Sequence, residues 1–152
     1  MPHVCPACLL TCVDCRLHRR PDGRDVIGEF VQELGVDCDV VTRAGGAQVL
    51  ARGGPEVVES VLRDLGASIE LHQAKDVYLI NHADCGAYRS FRFGNEQAEF
   101  RRHRSDLREA ARLIRQRFPG VRIALMFGVL EPREGRFELR VVEDSAGDAS
   151  GD

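Results

Sequence analysis

The chain has 152 residues, 43% apolar and 30% charged, a composition that fits one globular domain and excludes a disordered or low-complexity chain. Its formal net charge of −3 argues against a dedicated nucleic-acid binder, and no run of 18 apolar residues is present to span a membrane. Met1-Pro2-His3-Val4-Cys5 is not a basic stretch leading into an apolar one, so a secretory leader is not expected and the cytoplasm is. Six cysteines in a chain of that kind point to metal or redox chemistry before disulfides.

Residues 8–13 form an apolar run, read as a first strand. Residues 25–34 follow with Val26, Ile27, Phe30, Val31 and Leu34 on one helical face. A second strand is expected at 38–42. Residues 55–71 carry Val57, Val58, Val61, Leu62 and Leu65 at helical spacing, with Pro55 suited to the first helical position. A third strand falls at 77–80. A long helix is expected over 96–118, stopping before Pro119-Gly120. A fourth strand lies at 121–127, and residues 136–142 alternate polar and apolar as an edge strand does. Near-continuous apolar runs suit buried parallel strands. The order β-α-β-α-β-α-β-β predicts a three-layer α/β fold. Its mainly parallel central sheet has order 2-1-3-4 plus an edge strand, with helices on both faces. Residues 1–143 read as a single domain and 144–152 as a disordered acidic tail.

Ligands in such sheets bind beyond the carboxyl ends of strands, where strand order reverses. Strand one is followed by Cys12-Val13-Asp14-Cys15-Arg16, strand two by Arg43-Ala44-Gly45-Gly46, and strand three by Asn81-His82-Ala83-Asp84-Cys85-Gly86. If strands one and three are neighbours, Cys12, His82 and Cys85 share one crevice. Two thiolates and an imidazole are a zinc set, and three protein ligands leave a fourth position open. Asp14 lies two residues past Cys12 and points the same way on an extended segment. It either accepts a hydrogen bond beside the metal or becomes the fourth ligand, and Arg16 is placed to hold it by a bidentate contact.

Other features have blander readings. Cys5-Pro6-Ala7-Cys8 and Cys12-Val13-Asp14-Cys15 are two C-x-x-C pairs, but they lie closer together than the ~15–20 residues that separate the pairs of a zinc ribbon. Cys15 reads as a passive thiol and Cys38 as a core one. Gly45-Gly46 and Gly53-Gly54 match no phosphate-loop pattern. His3, His72 and His103 read as solvated, with His18 a candidate proton shuttle. The seven arginines from Arg101 to Arg117 read as a solvated helix face, partly neutralised by Asp106 and Glu109. Tyr88, Phe91 and Phe93 either wall a small apolar pocket or pack beneath a loop.

Cys12-x-Asp14-x-Arg16, the Ala44-Gly45-Gly46 loop and His82-x-x-Cys85-Gly86, in that order, resemble the β-class carbonic anhydrases. The resemblance runs from Cys8 to Tyr88. It implies that Cys12, His82 and Cys85 bind one Zn2+ per chain and that Asp14 and Arg16 form the catalytic dyad. It also implies reversible hydration of CO2 to bicarbonate by zinc-bound hydroxide, with N–H groups at Gly45 and Gly46 receiving the product oxygen. A homodimer or higher assembly is implied, with no nucleic-acid or membrane partner. Three departures stand out. Eleven residues precede Cys12 where the family carries a longer helical arm, no Gln precedes Gln32, and the loop arginine, Arg43, comes one position late. Two alternatives stay open: a zinc hydrolase of another small linear molecule such as CS2 or COS, and a non-catalytic zinc-binding regulatory or structural protein.

Overall fold

A computed structural model describes residues 3–143; the expected tail at 144–152 lies outside the described residues. Five strands form one sheet in the order β2-β1-β3-β4-β5. They are β1 (Ala7–Thr11), β2 (Cys38–Thr42), β3 (Asp76–His82), β4 (Arg122–Glu131) and β5 (Arg136–Val142). The first three pairings are parallel and β4–β5 is antiparallel. Strand order therefore reverses between β1 and β3, which are direct neighbours with Thr11 opposite Ile80.

Helix α1 (Val26–Leu34) packs on one face of the sheet, where Val26 and Ile27 join Leu9, Ile80 and Met126. Helices α2 (Gln48–Arg52), α3 (Pro55–Gly66) and α4 (Glu96–Arg117) cover the other. There Leu50, Val61, Leu65, Leu107 and Ile114 meet Leu10, Leu79 and Leu125. The alternation along β1 divides its side chains, with Leu9 facing α1 and Cys8 and Leu10 facing the other layer. Local signals set the helix ends. Asp25 and Asn95 accept hydrogen bonds from the N–H groups of Gly28 and Ala98, both N-cap contacts, and Gly35 closes α1 in the left-handed region at φ 72°.

The structure corrects several boundaries. β1 ends at Thr11, before the expected residue 13, because the chain turns at Asp14 into a 3-10 turn at Cys15–Leu17. β2 is an outer strand and half-exposed, with Val40 46% exposed, since nothing among the described residues pairs with its far side. The helix expected over 55–71 is α-helical only to Gly66 and continues as a π-type turn, Ala67–Leu71, which aims Ser68 at the Asp39 carboxylate. β4 runs to Glu131, past the expected 127, because β5 pairs with it from Leu125 to Glu131. Helix α2 was not expected; five residues are too short to carry a periodic pattern.

Leu107 on α4 is fully buried between helix and sheet. Leu107→Ala is expected to cost about 2–5 kcal/mol of stability, read as a lower urea midpoint with an unchanged slope.

Candidate metal centre

The parallel pairing of β1 with β3 brings their carboxyl ends level. Cys12 follows the last residue of β1, and His82 is the last residue of β3. Cys85 comes three residues later, at the entry to a 3-10 turn, Gly86–Phe91. All three side chains are buried, and their ligand atoms lie within 4.8 Å of one another. The two sulfurs are 3.8 Å apart. That is the separation two thiolates have on one tetrahedral zinc, about 3.8 Å for Zn–S bonds of about 2.3 Å.

The histidine is set for the same role. His82 Nδ1 faces the Ala83 carbonyl at 2.7 Å, so Nδ1 carries the proton and donates it. In the neutral ring Nε2 is the nitrogen that offers a lone pair, and it is buried and without a hydrogen-bond partner. A buried acceptor left unmatched beside two thiols is costly, and a metal ion satisfies it. The residues present therefore fit a zinc ion. Cys12 is held below the ordinary thiol range, chiefly by the hydrogen bond from Cys85 and further by the N–H of Gly45. Cys85, which donates that bond, is raised in return, and burial adds to the rise.

Asp14 stands at the rim, with Oδ2 3.8 Å from His82 Nε2. Arg16 grips it three times, through its backbone N–H at 2.8 Å, Nε at 3.0 Å and Nη2 at 2.7 Å. These contacts hold the Asp14 carboxyl down to about 2, the Arg16 side-chain hydrogen bond being the largest cause. The guanidinium is tied from its other side by Asp84, whose Oδ2 and carbonyl both accept from it at 3.1 Å. Sequence reasoning passed over Asp84, although it sits inside the H-x-x-C spacing. Two residues outside every motif complete the wall. The Phe137 ring lies 4.9 Å from the His82 ring and 4.9 Å below the Arg16 guanidinium carbon. Gly128 pairs with His82 in register, and a Cβ there would come within 3.2 Å of the His82 Cβ.

Other expectations meet a different arrangement. Gly45 and Gly46 take φ of 86° and 58°, which glycine tolerates. The Gly45 N–H, however, points at the Cys12 sulfur at 3.4 Å, and the Gly46 N–H bonds the Arg43 carbonyl at 2.8 Å. Both donors are engaged by the protein. His18 Nε2 donates to the Cys12 carbonyl at 2.8 Å. His103 and Asp106, expected in solvent, are buried. Positions 103, 106, 107, 110 and 114 share the inward face of α4, and that periodicity was legible. Tyr88 is buried too, and its hydroxyl reaches Asp106. Phe93 stacks on Phe91 at 5.6 Å and, with Tyr88, Arg89 and Arg92, lines a cleft of about 410 Å³ beside Cys85. Cys5 and Cys8 sit at the opposite end of β1 from Cys12, so the two C-x-x-C pairs do not converge; Cys15 is exposed.

Comparison with known proteins agrees with this geometry. A family model described as "Putative carbonic anhydrase" matches residues 3–132. A protein of Rickettsia bellii (strain RML369-C), described as an uncharacterized protein, is 26% identical over 125 residues, 76% of this chain and 71% of its own. Among solved structures, a carbonic anhydrase from Streptococcus mutans superposes with a TM-score of 0.58 at 20% identity, covering 93% of this chain and 83% of that one. The β-carbonic anhydrase CafA of Aspergillus fumigatus gives 0.62 at 11% identity, over 97% and 80%. At these identities the structural likeness establishes the fold.

The Asp14–Arg16 contact has a measurable signature in metal-free protein. Asp14 has a depressed pKa, so its contribution to stability is present above the ordinary carboxylate value of about 4 and is lost as pH falls through about 2. Carboxyl-carbon NMR is expected to give a midpoint near 2 for Asp14. In Arg16→Ala that midpoint is expected to rise toward about 4, the value of a free Asp.

Proposed function

The chain belongs to the carbonic anhydrase family whose model it matches over residues 3–132, and from that premise we propose that it is a zinc enzyme interconverting CO2 and bicarbonate. The observation that carries this reading is the buried Cys12–His82–Cys85 set with its unmatched imidazole nitrogen. One zinc ion per chain is held by these three residues. When bound, zinc supplies Lewis acidity that makes water nucleophilic near neutral pH.

The chain's own residues do the rest. His82 is fixed in one tautomer by the Ala83 carbonyl, so Nε2 is always the ligating atom. Asp14 stays ionised at every physiological pH because Arg16 neutralises it. As an acceptor it takes the hydrogen bond of the attacking water's O–H and turns a lone pair toward the carbon of CO2. Arg16 gives Asp14 its direction, and Asp84 with Phe137 keeps Arg16 in place. With Arg16 engaged at three points, Asp14 is favoured as acceptor over fourth ligand. The cleft beside Cys85, walled by Tyr88 and Phe93, gives a small linear molecule a route in.

The proposal extends to assembly and location. Val141, 75% exposed on the free edge strand β5, borders a cleft lined by Phe100, Phe127 and Leu130. That apolar surface supports a homodimer or higher. All six cysteines are free thiols, and a donor set of reduced sulfur suits the cytoplasm. No helix among the described residues is long and apolar enough to cross a membrane.

Stopped-flow CO2 hydration by the zinc-loaded chain is the test. Wild-type protein is expected to hold one zinc and turn over; Cys12→Ser is expected to lose both. Asp14→Asn is expected to keep its zinc and lose about 100-fold or more in kcat/KM, the scale of one preorganised hydrogen-bonding group. Zinc-loaded protein that hydrates CO2 no faster than Cys12→Ser overturns the proposal. In that event, turnover of CS2 or COS assigns the site to a hydrolase, and stoichiometric zinc with no turnover makes it a structural centre.

A further inference from the structure

Behind the metal centre runs a chain of polar groups whose hydrogen bonds the proposed chemistry does not use. It starts at Asp106 on α4, which is 2% exposed. Arg52, at the end of α2, closes on this carboxylate with Nε at 3.1 and 3.0 Å from its two oxygens. Tyr88 donates its hydroxyl proton to Asp106 Oδ2 at 2.7 Å. Asn81, the residue before His82, donates from Nδ2 to the Tyr88 oxygen at 3.2 Å and to His103 Nδ1 at 3.0 Å. Its Oδ1 accepts the N–H of Ala47 at 2.9 Å.

The proton directions are determined from one end. A backbone N–H only donates, so Asn81 must meet Ala47 with its oxygen. Both Nδ2 protons are then left to place. One goes to His103 Nδ1, which is unprotonated there; burial holds the ring neutral, with a pKa down to about 3. The other goes to the Tyr88 oxygen, which turns the tyrosine's own proton onto Asp106. Asp106 therefore accepts on one side from Tyr88, and the Arg52 guanidinium closes on it from the other.

At its far end the chain holds the glycine loop. A Cβ at Gly46 would meet Asn81 Oδ1 at 2.7 Å, so loop and amide are in close contact. Two residues before Ala47, the Gly45 N–H donates to the Cys12 sulfur. A second tie, Gln48 Nε2 to the Ala87 carbonyl at 3.0 Å, fastens the loop to the segment after Cys85.

We infer that Tyr88, with Asn81 and Asp106, is a positioning residue for the metal: the chain from Arg52 to Ala47 clamps the glycine loop so that the Gly45 N–H stays on the Cys12 sulfur. The inference rests on the proposed metal centre. A peptide N–H on a thiolate draws electron density from sulfur, so the clamp sets how strongly Cys12 donates as well as where it sits. Buried ionic groups contribute little net stability compared with apolar packing. Positioning accounts for a network that ends on Asn81, one residue before His82.

Cobalt(II) added to the metal-free full chain tests this, since its thiolate charge-transfer band reports on sulfur directly. Affinity is read by competition with a chelator, and melting of the metal-free protein is followed in parallel. Wild-type protein is expected to bind one cobalt with a thiolate band. Tyr88→Phe, which removes a single oxygen, is expected to keep that stoichiometry, lose about 10–100-fold in affinity and shift the band to longer wavelength. Asp106→Asn is expected to act in the same direction, and the double variant to lose no more than Tyr88→Phe alone. Wild-type affinity and band position in Tyr88→Phe, even with a lowered melting temperature, overturn the positioning role. So do losses that add in full in the double variant. A wild-type chain with no thiolate band overturns the metal centre itself, and the positioning role with it.

Discussion

Everything at this site depends on one register, the parallel alignment of β1 with β3 that sets Thr11 opposite Ile80. Parallel strands of equal reach end at the same height, so the residues leaving them meet without long loops. Cys12 and His82 are 70 positions apart in sequence yet need only the ends of two adjacent strands to share a neighbourhood. A slip of one residue would turn His82 to the opposite face of the sheet and dismantle the donor set. The apolar runs in β1 and β3, buried on both faces, supply the energy that prevents such a slip.

That strand-end geometry creates an electrostatic problem. Two thiols, an imidazole lacking a partner on one nitrogen, and a carboxylate are gathered where little water reaches. The protein answers with fixed donors. Arg16 neutralises Asp14 from outside, Gly45 donates to Cys12 from the loop, and the Ala83 carbonyl accepts the hydrogen bond of His82 Nδ1. Each contact leaves a defined lone pair facing inward. The imidazole nitrogen that remains unmatched is therefore the expected consequence of arranging everything else, and a cation is the chemistry that completes it.

Much of this was legible in the sequence. The alternation of strands and helices gave the layers and the strand order because parallel sheets allow few connections. The convergence of Cys12, His82 and Cys85 was readable because all three leave the ends of two neighbouring strands. What escaped was of another kind. Helix α2 is too short for periodicity, and the exposure of β2 was hidden by an apolar run that reads like a buried strand. His103 and Asp106 looked solvated among arginines, yet they occupy the inward stripe of α4, where a polar network replaces apolar packing. The contacts of the glycine loop also escaped: its N–H groups turn to the Cys12 sulfur and the Arg43 carbonyl, with the loop folded against Asn81.

Phe137 makes the same point from the other side of the sheet. It belongs to β5, beyond the stretch that carries the ligand motifs and beyond the residues matched by the family. Its pattern announces only an alternating edge strand. Antiparallel pairing with β4 folds that strand back so that Phe137, 1% exposed, lies against His82 and Arg16 at once. The ring contributes no ligand atom and no charge. It excludes water from one side of an ion pair and fixes the plane of an imidazole, and in a low-dielectric wall both effects strengthen the neighbouring contacts. Gly128 makes the approach possible by leaving space beside the His82 Cβ and the Phe137 Cβ, which a side chain there would meet at 3.2 and 3.4 Å. The candidate metal site of the first 88 residues is thus walled by two positions whose only qualification is shape.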